Sequence, residues 1–163
     1  MPLGQDQFTL DMIELDAVQQ FVCGTDECHL QVSEWIKGRP EGDSVREAIE
    51  QRNTKVWLYF NEEENFVGYG SLGPTTWKYP GPRDKQLLTC IPMLGVHSGY
   101  HRRGYGREIL RDLRSKAEVA KQERPILGLC VHPENLAAIQ LYTSEGFAFQ
   151  DRRNGMNRMI LRL

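Results

Sequence analysis

The sequence predicts a mixed α/β protein of the α+β kind: one domain, residues 1–163, with a central twisted mixed sheet of about six to seven strands flanked by helices. Three observations carry this. Dense β-branched and aromatic runs alternate with segments of helical period in the order strand, two helices, three strands, helix, strand, helix, two strands, and no stretch repeats another. A chain of 163 residues suits a single core and buries roughly 70% of the surface its unfolded form would expose. Its 40% hydrophobic and 26% charged content matches folded water-soluble domains and excludes collagen-like or disordered classes.

Each element has a local reason. Phe8 to Leu15 alternates apolar and polar residues, with a slip after Met12, which predicts an opening strand with a bulge. Leu30, Val32, Trp35 and Ile36 give a helical pattern over Glu27 to Ile36, and a second helix fits between Gly42 and Asn53, capped by Asp43 or Ser44. Val56 to Phe60 and Phe66 to Leu72 flank the polar turn N-E-E-E-N and form a hairpin. Pro74, Pro80, Gly81 and Pro82 make Gly73 to Asp84 an irregular loop, in which Trp77 and Tyr79 either line a substrate opening or pack on the sheet. Leu87 to Val96 is an apolar strand broken by Pro92, which cannot donate to a ladder.

Ile109, Leu110, Leu113, Ala117 and Ala120 mark one face of the next helix. Ile126 to Val131 is a short strand apolar on both faces, Pro133 to Glu145 a helix ended by Gly146, and Phe147 to Asp151 and Met156 to Leu161 the last two strands.

The charge balance narrows the partners. Twenty basic and 22 acidic side chains leave a formal charge of −2, so the whole molecule has no general attraction to nucleic acid or to an anionic membrane. The opening MPLGQDQFTLDMIELD lacks a basic region and an apolar core. No run reaches the roughly 20 apolar residues that span a bilayer, so a cytoplasmic protein without a membrane partner is expected. Cys23, Cys28, Cys90 and Cys130 are irregularly spaced and read as reduced thiols. Cys23 to His29 lacks a second ligand pair, and His97 and His101 are separated by a turn-like Ser98-Gly99, so no metal is expected.

The segment that carries chemistry is L-G-V-H-S-G-Y-H-R-R-G-Y-G-R-E-I-L, Leu94 to Leu110, an apolar strand running through a glycine-containing turn into an amphipathic helix. Gly104 and Gly106 allow close backbone approach, and the first N–H groups of the helix point at whatever anion lies there. Arg102, Arg103, Arg107 and Arg111 suit a ligand bearing several phosphate charges. A P-loop would need Lys and then Ser or Thr after the last glycine, where Arg107 and Glu108 stand, and Ile109 occupies the third small position of a dinucleotide fingerprint.

H-R-R-G-Y-G resembles the pyrophosphate loop of the GCN5-related N-acetyltransferases (GNAT), a Gln or Arg, two residues, Gly, one residue, then Gly or Ala; His101 departs from the first position. The resemblance extends through C-V-H-P-E-N-L-A-A-I-Q-L-Y-T-S-E-G-F, Cys130 to Phe147, and covers about half the chain. It implies a GNAT-type domain in which the strands Leu87 to Val96 and Ile126 to Val131 splay apart to receive acetyl-CoA. By that resemblance, backbone groups of Leu94 and Val96 contact the pantetheine arm and acyl end, while Arg102, Arg103, Gly104, Tyr105, Gly106 and Arg107 hold the pyrophosphate. Asn135 contacts the pantetheine arm or, read from the residue alone, caps its helix. Tyr142 protonates the departing sulfur; a phenol with an ordinary pKa of about 10 keeps its proton at neutral pH, although an aromatic on an apolar helix face also serves as packing.

The implied reaction is direct attack of a primary amine, on a small molecule or a peptide, on the thioester within a ternary complex. No base stands out: Thr89 and Cys90 lie on the strand before the loop, and Glu62, Glu63 and Glu64 read as a solvated tip. F-V-C-G-T-D-E-C-H-L, Phe21 to Leu30, is similar to a segment of acetyltransferase toxins that modify aminoacyl-tRNA, but such a toxin needs a basic groove for the phosphate backbone, whereas this chain is slightly acidic and its densest arginine cluster is taken by CoA. A non-catalytic acyl-CoA-binding module keeps the same fold. The resemblance also implies a homodimer formed through the terminal strands.

Overall fold

In a computed structural model of the chain, residues 3–21, 34–38 and 44–163 are described. They fall into two compact units: residues up to Ser71 together with Met93–Arg111, and Leu72–Pro92 together with Asp112–Leu163. The fold is mixed α/β, and the described residues hold eight strands in the hydrogen-bonded order β1 (Gly4–Gln7), β2 (Lys55–Phe60), β3 (Phe66–Trp77), β4 (Gln86–Ile91), β6 (Ile126–Val131), β8 (Met156–Arg162), β7 (Ala148–Arg153), with β5 (Leu94–Val96) paired to β3.

The first unit opens with β1 (Gly4–Gln7), whose polar residues pair antiparallel with β2 (Lys55–Phe60), Gly4 opposite Phe60 and Gln7 opposite Trp57. The strand expected over Phe8 to Leu15 is absent. Its place is taken by a 3-10 turn, Leu10–Glu14, and the short helix α1 (Asp16–Gln19). The adjacent pair Met12-Ile13, read as a slip in a strand, is what a helical turn needs to aim two neighbours inward, and both pack on the core with Phe8 and Val18.

The helix expected over Glu27 to Ile36 lies mostly outside the described residues; 34–37 are helical, with Trp35 and Ile36 buried. Helix α2 (Val45–Arg52) begins where Ser44 Oγ accepts from Glu47 N at 3.2 Å and ends at Asn53, φ 53°. Asp43, the other expected cap, lies outside the described residues. Trp35 stacks on Tyr69 with centroids 6.2 Å apart, and Phe21 meets the same ring edge-on at 5.5 Å.

Strand β3 (Phe66–Trp77) runs through both units. Its second half corrects the loop expected from Gly73: Gly73 to Trp77 pair antiparallel with β4 (Gln86–Ile91), because the Thr75-Thr76-Trp77 run favours a strand despite Pro74. The break expected at Pro92 is present. The chain stops pairing at Ile91 and resumes as β5 (Leu94–Val96) on β3, which makes eight strands where about six to seven were expected. At the break, the buried Ser71 hydroxyl donates to Met93 O at 2.8 Å and accepts from Met93 N at 3.0 Å, so both backbone groups are satisfied.

In the second unit β4 lies parallel to β6 (Ile126–Val131), which pairs antiparallel with β8 (Met156–Arg162), itself paired with β7 (Ala148–Arg153). A register shift between Phe149 and Asp151 bends β7. Trp77 and Tyr79, whose role was open, pack: Tyr79 is buried with Leu88, Ile126 and Ile160, and Trp77 lies against this group. Gly128 makes room for that indole, since a Cβ there would sit 2.6 Å from Trp77 Cη2. The Arg158 guanidinium covers the ring at 4.6 Å and binds both Asp151 oxygens at 2.6 Å. Helix α3 (Tyr105–Glu118), whose residues through Arg111 belong to the first unit, buries Ile109, Leu110, Leu113 and Ala117 along one stripe, and α4 (Leu136–Ser144) precedes β7. Among the described residues no helix is long and apolar enough to cross a membrane.

Candidate active site

Eight of the expected site residues lie on one continuous strand, turn and helix of the first unit. Strand β5 places Leu94 opposite Gly70 and Val96 opposite Gly68, and the pairing continues one step as His97 N donates to Val67 O at 2.8 Å. Gly68 permits this approach: a Cβ there would overlap the Gly95 carbonyl oxygen and lie 3.0 Å from Ile109 Cδ1 and 3.2 Å from Val96 Cα. A 3-10 turn, Ser98–Tyr100, follows, capped by His97 Nδ1, which accepts from Gly99 N at 3.1 Å.

His101 has a role the sequence did not reveal. Its Nε2 donates to the Val96 carbonyl at 2.8 Å and ties the end of β5 to the loop. The residue stood out only as a departure from the family pattern, because a bond five residues back along an irregular turn has no periodic signature.

The chain then reverses through Arg102, φ 63°, and Gly104, φ 87°. Both lie in the left-handed region, which glycine adopts without penalty. A Cβ on Gly104 would find nothing within 4 Å, so its surface is open to a ligand. Glu108 N donates to Gly104 O at 3.1 Å as α3 begins, which places the N–H groups of Tyr105 and Gly106 ahead of the first intrahelical bond. That end of the helix carries its partial positive charge. Arg102 and Arg103 are exposed, Arg107 is half-buried, and the Arg103 guanidinium leans over the Tyr100 ring at 5.4 Å. The residues fit a polyphosphate: an open glycine, N–H groups at a helix start and three guanidinium groups on six consecutive residues.

The other two expected residues are in the second unit. Asn135 caps α4, its Oδ1 accepting from Ala138 N at 3.2 Å, as the residue-level reading allowed; the amide nitrogen is the part left for a ligand. Tyr142 is buried on α4, its ring 6.0 Å from that of Phe147. Thr89 is buried with its hydroxyl accepting from Arg124 Nε at 3.0 Å, which holds it in structure rather than in chemistry. Among the described residues no group of three or more His, Cys, Asp or Glu side chains is arranged to hold a metal, and Cys130 is an exposed free thiol. Cys23, Cys28, His29 and most of the toxin-like segment Phe21 to Leu30 lie outside the described residues.

A sequence profile described as the acetyltransferase (GNAT) family matches residues 24–147. The fold is shared with solved structures. The AtaT toxin carrying a Tyr-to-Phe substitution, bound to the C-terminus of the antitoxin AtaR and acetyl-CoA, has a TM-score of 0.72 at 14% identity, with 99% of this chain and 94% of that one covered. A bacterial toxin gives 0.75 at 18% identity, covering 99% and 92%. An IAA acetyltransferase from Bacillus cereus ATCC 14579 gives 0.63 at 13% identity, covering 99% of both chains. No curated protein matches the chain by sequence.

Proposed function

Because the chain belongs to the GNAT acetyltransferase family, whose profile spans residues 24–147, we propose that it moves an acetyl group from acetyl-CoA to a primary amine by direct attack in a ternary complex. The observation that carries this reading is the turn at Gly104, φ 87°, open where a side chain would stand and leading straight into the start of α3. The pyrophosphate takes the N–H groups of Tyr105 and Gly106 and the charges of Arg102, Arg103 and Arg107. Backbone groups of Leu94 and Val96 receive the pantetheine arm, with the Asn135 amide nitrogen as a further donor to it. Acetyl-CoA supplies the thioester; the amine attacks its carbonyl carbon, the C–S bond breaks as the Tyr142 hydroxyl gives its proton to the sulfur, and the proton shed by the attacking nitrogen passes to water, from which Tyr142 is reprotonated. No resident metal is invoked, and the site of action is the cytoplasm.

A second reading shares the chemistry and changes the acceptor. Toxins stand among the structures of this fold, one with its antitoxin and acetyl-CoA, and the F-V-C-G segment resembles toxins that acetylate aminoacyl-tRNA. The formal charge of −2 favours a small or peptide amine. The test is release of CoA with amines, peptides and charged tRNA offered in turn. Acceptor-dependent release that falls by about 10² in Tyr142→Phe supports the proposal; turnover unchanged in that variant removes Tyr142 from it, and saturable binding without turnover on any acceptor leaves an acyl-CoA-binding module.

A further inference from the structure

The first unit holds a recess of about 550 Å³ beside the phosphate-type loop, and acetyl transfer uses neither its carboxylates nor most of its rings. One wall is the tip of the β2–β3 hairpin, with the exposed Glu62 and Glu63. Hydrogen bonds shape the tip: Asn61 Oδ1 accepts from Glu63 N at 3.0 Å and Asn65 N at 2.9 Å, and Asn61 N donates to Asn65 O at 3.0 Å. The other wall is aromatic. His97 meets Tyr100 edge to face at 5.8 Å, and Tyr100 meets Tyr105 in the same manner at 6.1 Å, with Arg103 over the Tyr100 ring.

Charges of both signs therefore line one cavity: Arg103 on one side, and on the other Glu62 and Glu63, the latter accepting from Asn65 Nδ2 at 3.2 Å. A simple cation entering the recess would meet Arg103, and a simple anion would meet two carboxylates. A ligand carrying both charges satisfies both walls, and the rings between them suit an apolar body. The volume lies within the roughly 300–1,000 Å³ usual for small-molecule sites.

We propose that this recess binds a small zwitterion, an α-amino acid with an apolar side chain, its ammonium group on Glu62 and Glu63, its carboxylate on Arg103 and its side chain against Tyr100 and Tyr105. Arg103 is shared with the pyrophosphate proposed above, so the amino acid and acetyl-CoA are expected to compete, and the titration is made without acetyl-CoA so that its outcome stands apart from acetyl transfer. The proposal is tested by calorimetric titration of the full chain without acetyl-CoA, using L-phenylalanine, L-phenylalaninamide, which lacks the anion, and N-acetyl-L-phenylalanine, which lacks the cation. L-phenylalanine is expected to bind saturably at one site, with affinity about tenfold or more weaker for each neutralised probe and for the double variant Glu62→Gln, Glu63→Gln. Both substitutions fall on an exposed turn, and an unfolding curve matching the parent establishes that the variant is folded. Absence of heat at any soluble concentration of L-phenylalanine, equal binding of either neutralised probe, or undiminished binding by the folded double variant would each overturn the proposal.

Discussion

Replacing Gly68 with Ala links the fold to the proposed cofactor site through one methyl group. The added Cβ would overlap the Gly95 carbonyl oxygen and press on Ile109 Cδ1 at 3.0 Å and Val96 Cα at 3.2 Å. Two of the three obstacles are backbone, so no side chain can swing away. A carbon facing a carbonyl oxygen needs about 3.3 Å, and β5 must retreat by roughly an ångström to supply it. Overpacking of this kind costs about 1–3 kcal/mol, while the stiffer unfolded chain of Ala returns about 0.4–1 kcal/mol. A net loss of roughly 1–2 kcal/mol lowers the melting temperature by about 2–8 °C in a chain of this size.

The functional consequence is larger in proportion. Leu94 and Val96, proposed to receive the pantetheine arm, flank Gly95, and loss of one or two of those proposed backbone hydrogen bonds is expected to weaken acetyl-CoA by about tenfold or more. Thermal melts and acetyl-CoA titration of Gly68→Ala read both effects. Gly4→Ala serves as control, because its Cβ would make only ordinary contacts, 3.8 Å to Phe60 Cβ and O. A Gly68→Ala protein as stable as the parent would refute the steric argument. A destabilised protein with undiminished affinity for acetyl-CoA would separate the position of β5 from the site.

Two further perturbations address single groups. His101→Ala removes the donor to the Val96 carbonyl and is expected to cost about 1 kcal/mol of stability and to raise the acetyl-CoA dissociation constant several-fold; unchanged melting and affinity would show the bond to be idle. The hydrogen bonds from Arg158 hold the Asp151 carboxyl below its ordinary range. A depressed carboxylate pKa gives stability that is full above the unfolded value, near 4, and lost as pH falls through the lower folded value. Urea melts of the parent from pH 7 down to about pH 3 should therefore show a loss of stability that Asp151→Asn lacks, its own loss of about 1–3 kcal/mol being already present at pH 7; parallel pH profiles would contradict the assignment.

Much of this was legible before the structure. The run from Leu94 to Leu110 announced its strand, turn and helix because apolar period, paired glycines and clustered arginines all agree there. Pro92 announced the break in the strand, but not Ser71, the partner that satisfies Met93 from 22 residues away. The opening strand was misplaced because Gly4–Gln7 is polar throughout and edge pairing leaves no apolar signature, whereas the Phe8 to Leu15 alternation imitates one. Trp77 could be read either as lining an opening or as packing on the sheet, because the partners that decide it, Gly128 and Arg158, are both distant in sequence. The His101 bond and the recess lined by Glu62 and Tyr100 were equally invisible, since they arise from tertiary placement and not from local pattern.

The central claim is that the turn at Gly104 seats the pyrophosphate of acetyl-CoA, and the melting temperature with and without acetyl-CoA tests it most directly. Ligand at about 100 times its dissociation constant adds roughly 2.7 kcal/mol, which corresponds to a rise of about 5–11 °C for a chain of this length. The expected result is that rise in the parent and its loss in a folded Gly104→Glu protein, where a carboxylate would stand in the open space above the turn. No shift at saturating acetyl-CoA, with titration confirming no binding, would contradict the claim, as would an equal shift in Gly104→Glu.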